Sequence, residues 1–153
     1  FSNRHAVVVD RFIFEDPEGL LRQEPSKRDH LQDTLRKAAR GELDPAKLLR
    51  SRRWPKRVKQ RPPLEASVWL TNELSSRATY IEVVAGDRPG LLYDIICVLH
   101  RAGCKIDAVL ADTQGPKALD VFYVTQSGRQ LSPRQQQEVR VQLLSVLERP
   151  ELH

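Results

Sequence analysis

The chain has 153 residues, of which 40% are hydrophobic and 29% charged, enough for one domain of ordinary size or a domain and a half. Its longest apolar stretch, Leu91–Leu99, is broken by Tyr93, Asp94 and Cys97 and falls far short of the ~20 residues of a spanning helix, so a membrane span is excluded. Cys97 and Cys104 are the only cysteines and no leader-like segment opens the chain, which argues against a disulfide scaffold and for a cytoplasmic protein with free thiols.

The net charge of +5 is local. Lys47, Arg50, Arg52, Arg53, Lys56, Arg57, Lys59 and Arg61 carry eight positive charges with no acid among them, and without them the balance is −3. This run is interrupted by Pro55 and closed by Pro62–Pro63, so residues 47–64 read as a basic linker. A nucleic-acid site would interleave aromatics, and only Trp54 lies inside.

In chain order, His5–Phe14 is rich in β-branched and aromatic residues and reads as a strand, closed by the turn Asp16-Pro17-Glu18-Gly19. Ser26 to Asp29 has the spacing of a capping box, and Leu31, Leu35 and Ala38 then recur at helical spacing, predicting a helix over Lys27–Arg40. Asp44-Pro45 starts one more short turn. Past the linker, Ala66–Thr71 and Thr79–Ala85 read as a hairpin, and Gly86 to Gly90 as a tight loop. A helix over Leu91–Ala102 follows, with Leu92, Ile95, Ile96, Leu99 and Ala102 on one stripe. Lys105–Ala111 and Ala118–Thr125 are two further strands. A last helix opens at the capping box Ser132 to Gln135 and carries Val139, Leu143, Val146 and Leu147.

The second half is thus β-β-α-β-β-α. Asp10–Phe14 echoes Asp120–Val124, each followed by a turn and a Ser-initiated helix, so the chain reads as the tail of one copy followed by a nearly complete second. The expected fold is α+β, a ferredoxin-like βαββαβ unit over residues 65–149, preceded in residues 1–46 by the second half of another copy. The second copy has no strand after its last helix, and Ala66–Thr71 is expected to take that place beside Thr79–Ala85.

The run Thr79–Ile95, with Asp87-Arg88-Pro89-Gly90-Leu91 inside it, resembles the start of an ACT domain. Continued by Thr113-Gln114-Gly115 and Asp120–Thr125, it is most similar to the C-terminal tandem ACT region of bifunctional uridylyltransferase/uridylyl-removing enzymes. Two departures from that pattern are Lys105, where asparagine is frequent, and one extra residue within Ala108–Thr113. The resemblance implies a regulatory module that senses an amino acid, glutamine foremost, and acts allosterically on catalytic domains upstream. It also implies a homodimer through the ACT sheet and the PII signalling protein as a partner of the parent enzyme. No cofactor is expected.

The residues of the loop give this a physical basis. Gly90 lets a ligand approach the backbone, and the N–H groups near Gly90 and Leu91, at the positive end of the helix dipole, suit a carboxylate. Asp87 can accept a hydrogen bond from an ammonium. Asp87, Arg88, Pro89, Gly90 and Leu91 are therefore the candidate ligand-binding residues. The plainer reading of the spacing is that Asp87 caps the helix and Gly90 only turns the chain.

No catalytic set is present: there is no Ser/His/Asp order, no Gly-rich phosphate loop with lysine, and no aspartate pair suited to two metal ions, so the fragment itself is expected not to be an enzyme. Cys97, His100 and Cys104 invite a metal reading, but Gly103 ends the helix before Cys104 and no fourth ligand lies near. Two readings compete with ligand sensing. One is a nucleic-acid module using the open face of the sheet, which needs aromatics there. The other is an ACT copy used only for assembly. Because the first copy is incomplete, the strand His5–Phe14 is expected to pair with a second chain across a two-fold axis or to extend that chain's sheet.

Overall fold

The computed structural model describes Ile13, residues 15–52 and residues 64–148. The chain divides into two compact units, Phe1–Arg52 and Arg53–His153.

In the first unit the described residues form α1 (Leu20–Gln23), α2 (Pro25–Ala39) and α3 (Pro45–Ser51). The Asp16 carboxylate accepts from the backbone N–H groups of Leu20 and Leu21 at 3.0 and 2.9 Å and so starts α1, a turn of helix that the sequence reading leaves out. The helix α2 begins two residues before the expected start. Pro25 stands in its first turn and Glu24 is the cap residue, which puts Ser26 and Asp29 inside the helix and leaves no capping box to form. α3 is capped by Asp44, whose side chain accepts from Ala46 and Lys47 N–H. Lys47 and Arg50 of the basic run are therefore helical; residues 53–63 of that run lie outside the described residues. None of these three helices has a buried residue. The strand expected over His5–Phe14 and the echo at Asp10–Phe14 also fall, Ile13 apart, outside the described residues.

The second unit holds β1 (Ser67–Thr71), β2 (Thr79–Gly86), α4 (Leu91–Arg101), β3 (Lys105–Gln114), β4 (Lys117–Thr125) and α5 (Pro133–Leu147). The strands form one four-stranded antiparallel sheet in the order β1-β2-β4-β3. That is the order of a ferredoxin-like unit, with β1 at the edge where the strand after the last helix would stand. β1 pairs with β2 throughout its length, from Ser67 opposite Val84 to Thr71 opposite Tyr80.

Alternation along the strands decides the faces. Val68, Leu70, Ile81, Val83, Ala85, Ala118, Phe122 and Val124 face one side and join Leu91, Ile95, Val98 and Leu99 of α4 and Val139 and Leu143 of α5 in one core. Phe122, Ile81, Ile95, Leu99 and Leu143 are fully buried, each contributing roughly 1.5–3 kcal/mol. The buried stripe of α4 is turned from the expected one: Leu91 and Val98 are inside, whereas Leu92 is exposed and Ile96 and Ala102 are only partly covered. On α5, Val139 and Leu143 are buried and Val146 and Leu147 pack at the margin. The capping box forms as expected, with the Ser132 hydroxyl accepting from Gln135 N–H and the Gln135 side chain accepting from Ser132 N–H.

The loop between β1 and β2 is fixed by Thr79, whose buried hydroxyl donates to Asn72 Oδ1 at 2.7 Å and accepts from Leu131 N–H at 2.8 Å. Ala108–Thr113, where an extra residue is expected, pairs one to one with Ala118–Tyr123 of β4; the irregularity in β3 lies just before it, where the register shifts between Ile106 and Ala108 and leaves Asp107 unopposed as a bulge. Asp107 accepts from the Thr125 hydroxyl and pairs with Lys105 at 2.9 Å.

Candidate functional site

The five residues singled out in the sequence lie together where β2 ends and α4 begins. Asp87 N–H donates to the Pro116 carbonyl at 2.8 Å and so ties the loop to the β3–β4 turn. Gly90 is the cap residue of α4, with φ of 77°, a left-handed backbone that favours glycine. Pro89 precedes it and stands outside the helix.

Two features differ from expectation. The Leu91 N–H turns back to the Arg88 carbonyl at 3.1 Å instead of opening outward, and the Leu91 side chain is a core residue, so only its backbone borders the loop. The Arg88 guanidinium is committed to the fold: its Nη2 lies 2.6 Å from Asp94 Oδ2 and 3.4 Å from the Val146 carbonyl of α5.

The sequence reading missed Asp120. It stands on β4 between Ala118 and Phe122, on the core face, and is 5% exposed. Among the described residues its carboxylate has no hydrogen bond or ion pair. Burial and, after it, the charge of Asp87 push its carboxyl up to about 6. The register makes the neighbourhood clear. Val83 lies opposite Asp120 and Ala85 opposite Ala118, and Asp87 continues the same face of β2. The signal in the sequence was an acid sharing the parity of Phe122 and Val124, legible once the inward parity is known.

The Cys97, His100 and Cys104 set does not assemble. His100 is exposed, Cys104 is buried with its thiol pushed up by that burial, and no group of metal-ligating side chains converges among the described residues. An open polar depression of about 920 Å³, lined by Asn72, Gln126, Arg129 and Gln135 among others, lies at the opposite end of the sheet from the loop. No described helix is long and apolar enough to cross a membrane.

The other face of the sheet carries an aromatic row that the sequence reading also missed. Trp69 of β1 meets Tyr80 of β2 edge-on at 5.5 Å between ring centroids, and Tyr80 meets Tyr123 of β4 at 5.6 Å. Glu82 sits within this face and accepts from the Tyr80 hydroxyl at 2.9 Å.

No family model matches the chain. Its curated relatives are bifunctional uridylyltransferase/uridylyl-removing enzymes. The chain is 36% identical over 125 residues to that of Gluconobacter oxydans, which covers 77% of the chain and 13% of the enzyme. It is 31% identical over 157 residues to that of Phenylobacterium zucineum and 29% identical over 156 residues to that of Caulobacter vibrioides, each covering 99% of the chain. In both cases the chain spans only 16% of the relative's length.

Proposed function

We propose that the chain is the regulatory, amino-acid-sensing ACT module of a cytoplasmic uridylyltransferase/uridylyl-removing enzyme, binding glutamine at the loop Asp87–Leu91. The bound state is passed to catalytic domains elsewhere in the parent enzyme, which acts on the PII signalling protein. The observation that carries the reading is the left-handed Gly90 at the head of α4, in a loop that brings Asp87 and backbone groups together on a ferredoxin-like frame. A glycine there leaves room for a ligand against the backbone and serves the turn without strain. The module is proposed to act as a homodimer through its sheet.

Isothermal titration of the chain with L-glutamine and, separately, with the other common amino acids tests the reading. Saturable heat with one of them is expected; none with any at millimolar concentration overturns it and leaves a module used only for assembly. A nucleic-acid module is the other competitor, since the aromatic row supplies the flat rings such a use requires. Glu82 within that row opposes a polyanion, which favours the sensing reading.

A further inference from the structure

We propose that Asp120 is the acceptor for the ammonium group of the amino acid bound at the Asp87–Leu91 loop; this rests on the amino-acid reading above. The inference starts from a cost. A carboxylate taken out of water is unfavourable unless a cation or several donors meet it, and cores exclude such groups unless something retains them. Asp120 is 95% buried by its 5% exposure and meets neither among the described residues. The charge of Asp87 is of the same sign and adds to the cost.

Only small side chains separate Asp120 from the loop along the strands. On this face of β2 and β4 the residues between the level of Asp120 and the level of Asp87 are Ala85 and Ala118, paired with each other and both buried. Their methyl groups are the smallest side chains that a strand can present to a core. On the far side β3 places Ala111 opposite Asp120. A buried acid is thus flanked by alanines on the side facing a glycine-hinged loop, and the loop carries a second acid. An ammonium donating to Asp120 would replace the like-charge contact with an attractive one in a place of low dielectric, where a charge-assisted hydrogen bond is strong. The ligand carboxylate would then lie toward the head of α4. The loop beside Asp120 is held by the Asp87–Pro116 backbone bond and the Arg88–Asp94 pair.

The test is titration of the chain and of its Asp120→Asn variant with L-glutamine and the other common amino acids, and of the unaltered chain with the N-acetyl derivative of whichever binds. Asparagine keeps the shape and loses the charge. The expected result is a loss of roughly tenfold or more in affinity for the variant, with its thermal unfolding temperature unlowered, and a comparable loss for the N-acetyl ligand. Equal affinity of variant and unaltered chain, or equal binding of free and N-acetylated ligand, overturns the role of Asp120 while leaving the sensing module in place. Absence of binding by every amino acid to the unaltered chain overturns both. The N-acetyl comparison needs no substitution, so a variant that fails to fold does not shield the proposal.

Discussion

Arg88 and Asp94 form a 2.6 Å ion pair across the first turn of α4, with the arginine side chain only 16% exposed. The pair joins the loop to the helix it precedes, and the arginine's reach to the Val146 carbonyl joins both to the end of α5. The acid also lies in the first turn, where the helix dipole favours it. A residue expected to meet a ligand is thus engaged in holding the loop. Arg88→Ala is expected to lower stability by about 1–2 kcal/mol, because it leaves a partly covered carboxylate and a carbonyl without their donor. Chemical denaturation of Arg88→Ala, Asp94→Asn and the double variant checks this. Strictly additive losses would mean that the two side chains do not support each other.

Asp120 gives a pH dependence of definite sign. Its carboxyl is held at about 6 in the folded chain against an ordinary value of 3.8, with burial first and the Asp87 charge second as causes. Between these values the folded state binds more protons than the unfolded one, so this group makes stability fall as pH rises from about 4 to 6 and hold at the lower level above. The amplitude is on the order of 3 kcal/mol. Asp120→Asn removes the group, so the variant is expected to be more stable than the parent at pH 7 and to lose most of that advantage near pH 4. Urea unfolding of both at the two pH values decides; a variant less stable at pH 7 would show that the carboxylate is neutralised in the folded chain.

Much of the second unit was legible because two periodicities coexist in it without conflict. Thr79–Ala85 and Ala118–Thr125 alternate cleanly, and the glycines at 90 and 103 bracket a helix. The same motif succeeded at Ser132 and failed at Ser26, since only at Ser26 does a proline one position earlier fix the helix start ahead of it. The stripe of α4 was misplaced by about one residue because Leu91 and Leu92 are equally apolar, and only the sheet beneath decides which turns inward. The site was less legible. The loop could be found from local spacing, whereas Asp120 and the Trp69–Tyr80–Tyr123 row depend on register between strands distant in sequence.

Gly90 is expected to tolerate few replacements. At φ of 77° a β-branched side chain crowds its own backbone, so Gly90→Val should cost about 1–2 kcal/mol, and Gly90→Asn less. A core that also includes β2, β4 and α5 keeps the valine variant folded. If the ligand lies against this backbone, the valine variant loses amino-acid binding while its circular dichroism stays that of the parent. Unchanged affinity in the folded variant removes the loop from the site.

The open face of the sheet is expected to bind a second copy of the chain. Trp69 is 48% and Leu110 62% exposed, and Val84, Leu119 and Val121, half-buried, alternate on the same side as Tyr80 and Tyr123. One face of an antiparallel sheet can stand in water, but an exposed patch with this many large apolar side chains marks an interaction surface. Two copies related by a two-fold axis would bring the aromatic rows together and remove Trp69 from water. Light scattering at micromolar concentration should then give a mass near twice 17.5 kDa. Trp69→Glu should shift the chain toward monomer, because the register sets position 69 opposite Glu82 and a dimer would bury two like charges side by side on each copy. A nucleic-acid partner on the same rings would instead show as oligonucleotide binding that falls steeply with salt. A monomer at micromolar concentration, in the unaltered chain, defeats the dimer.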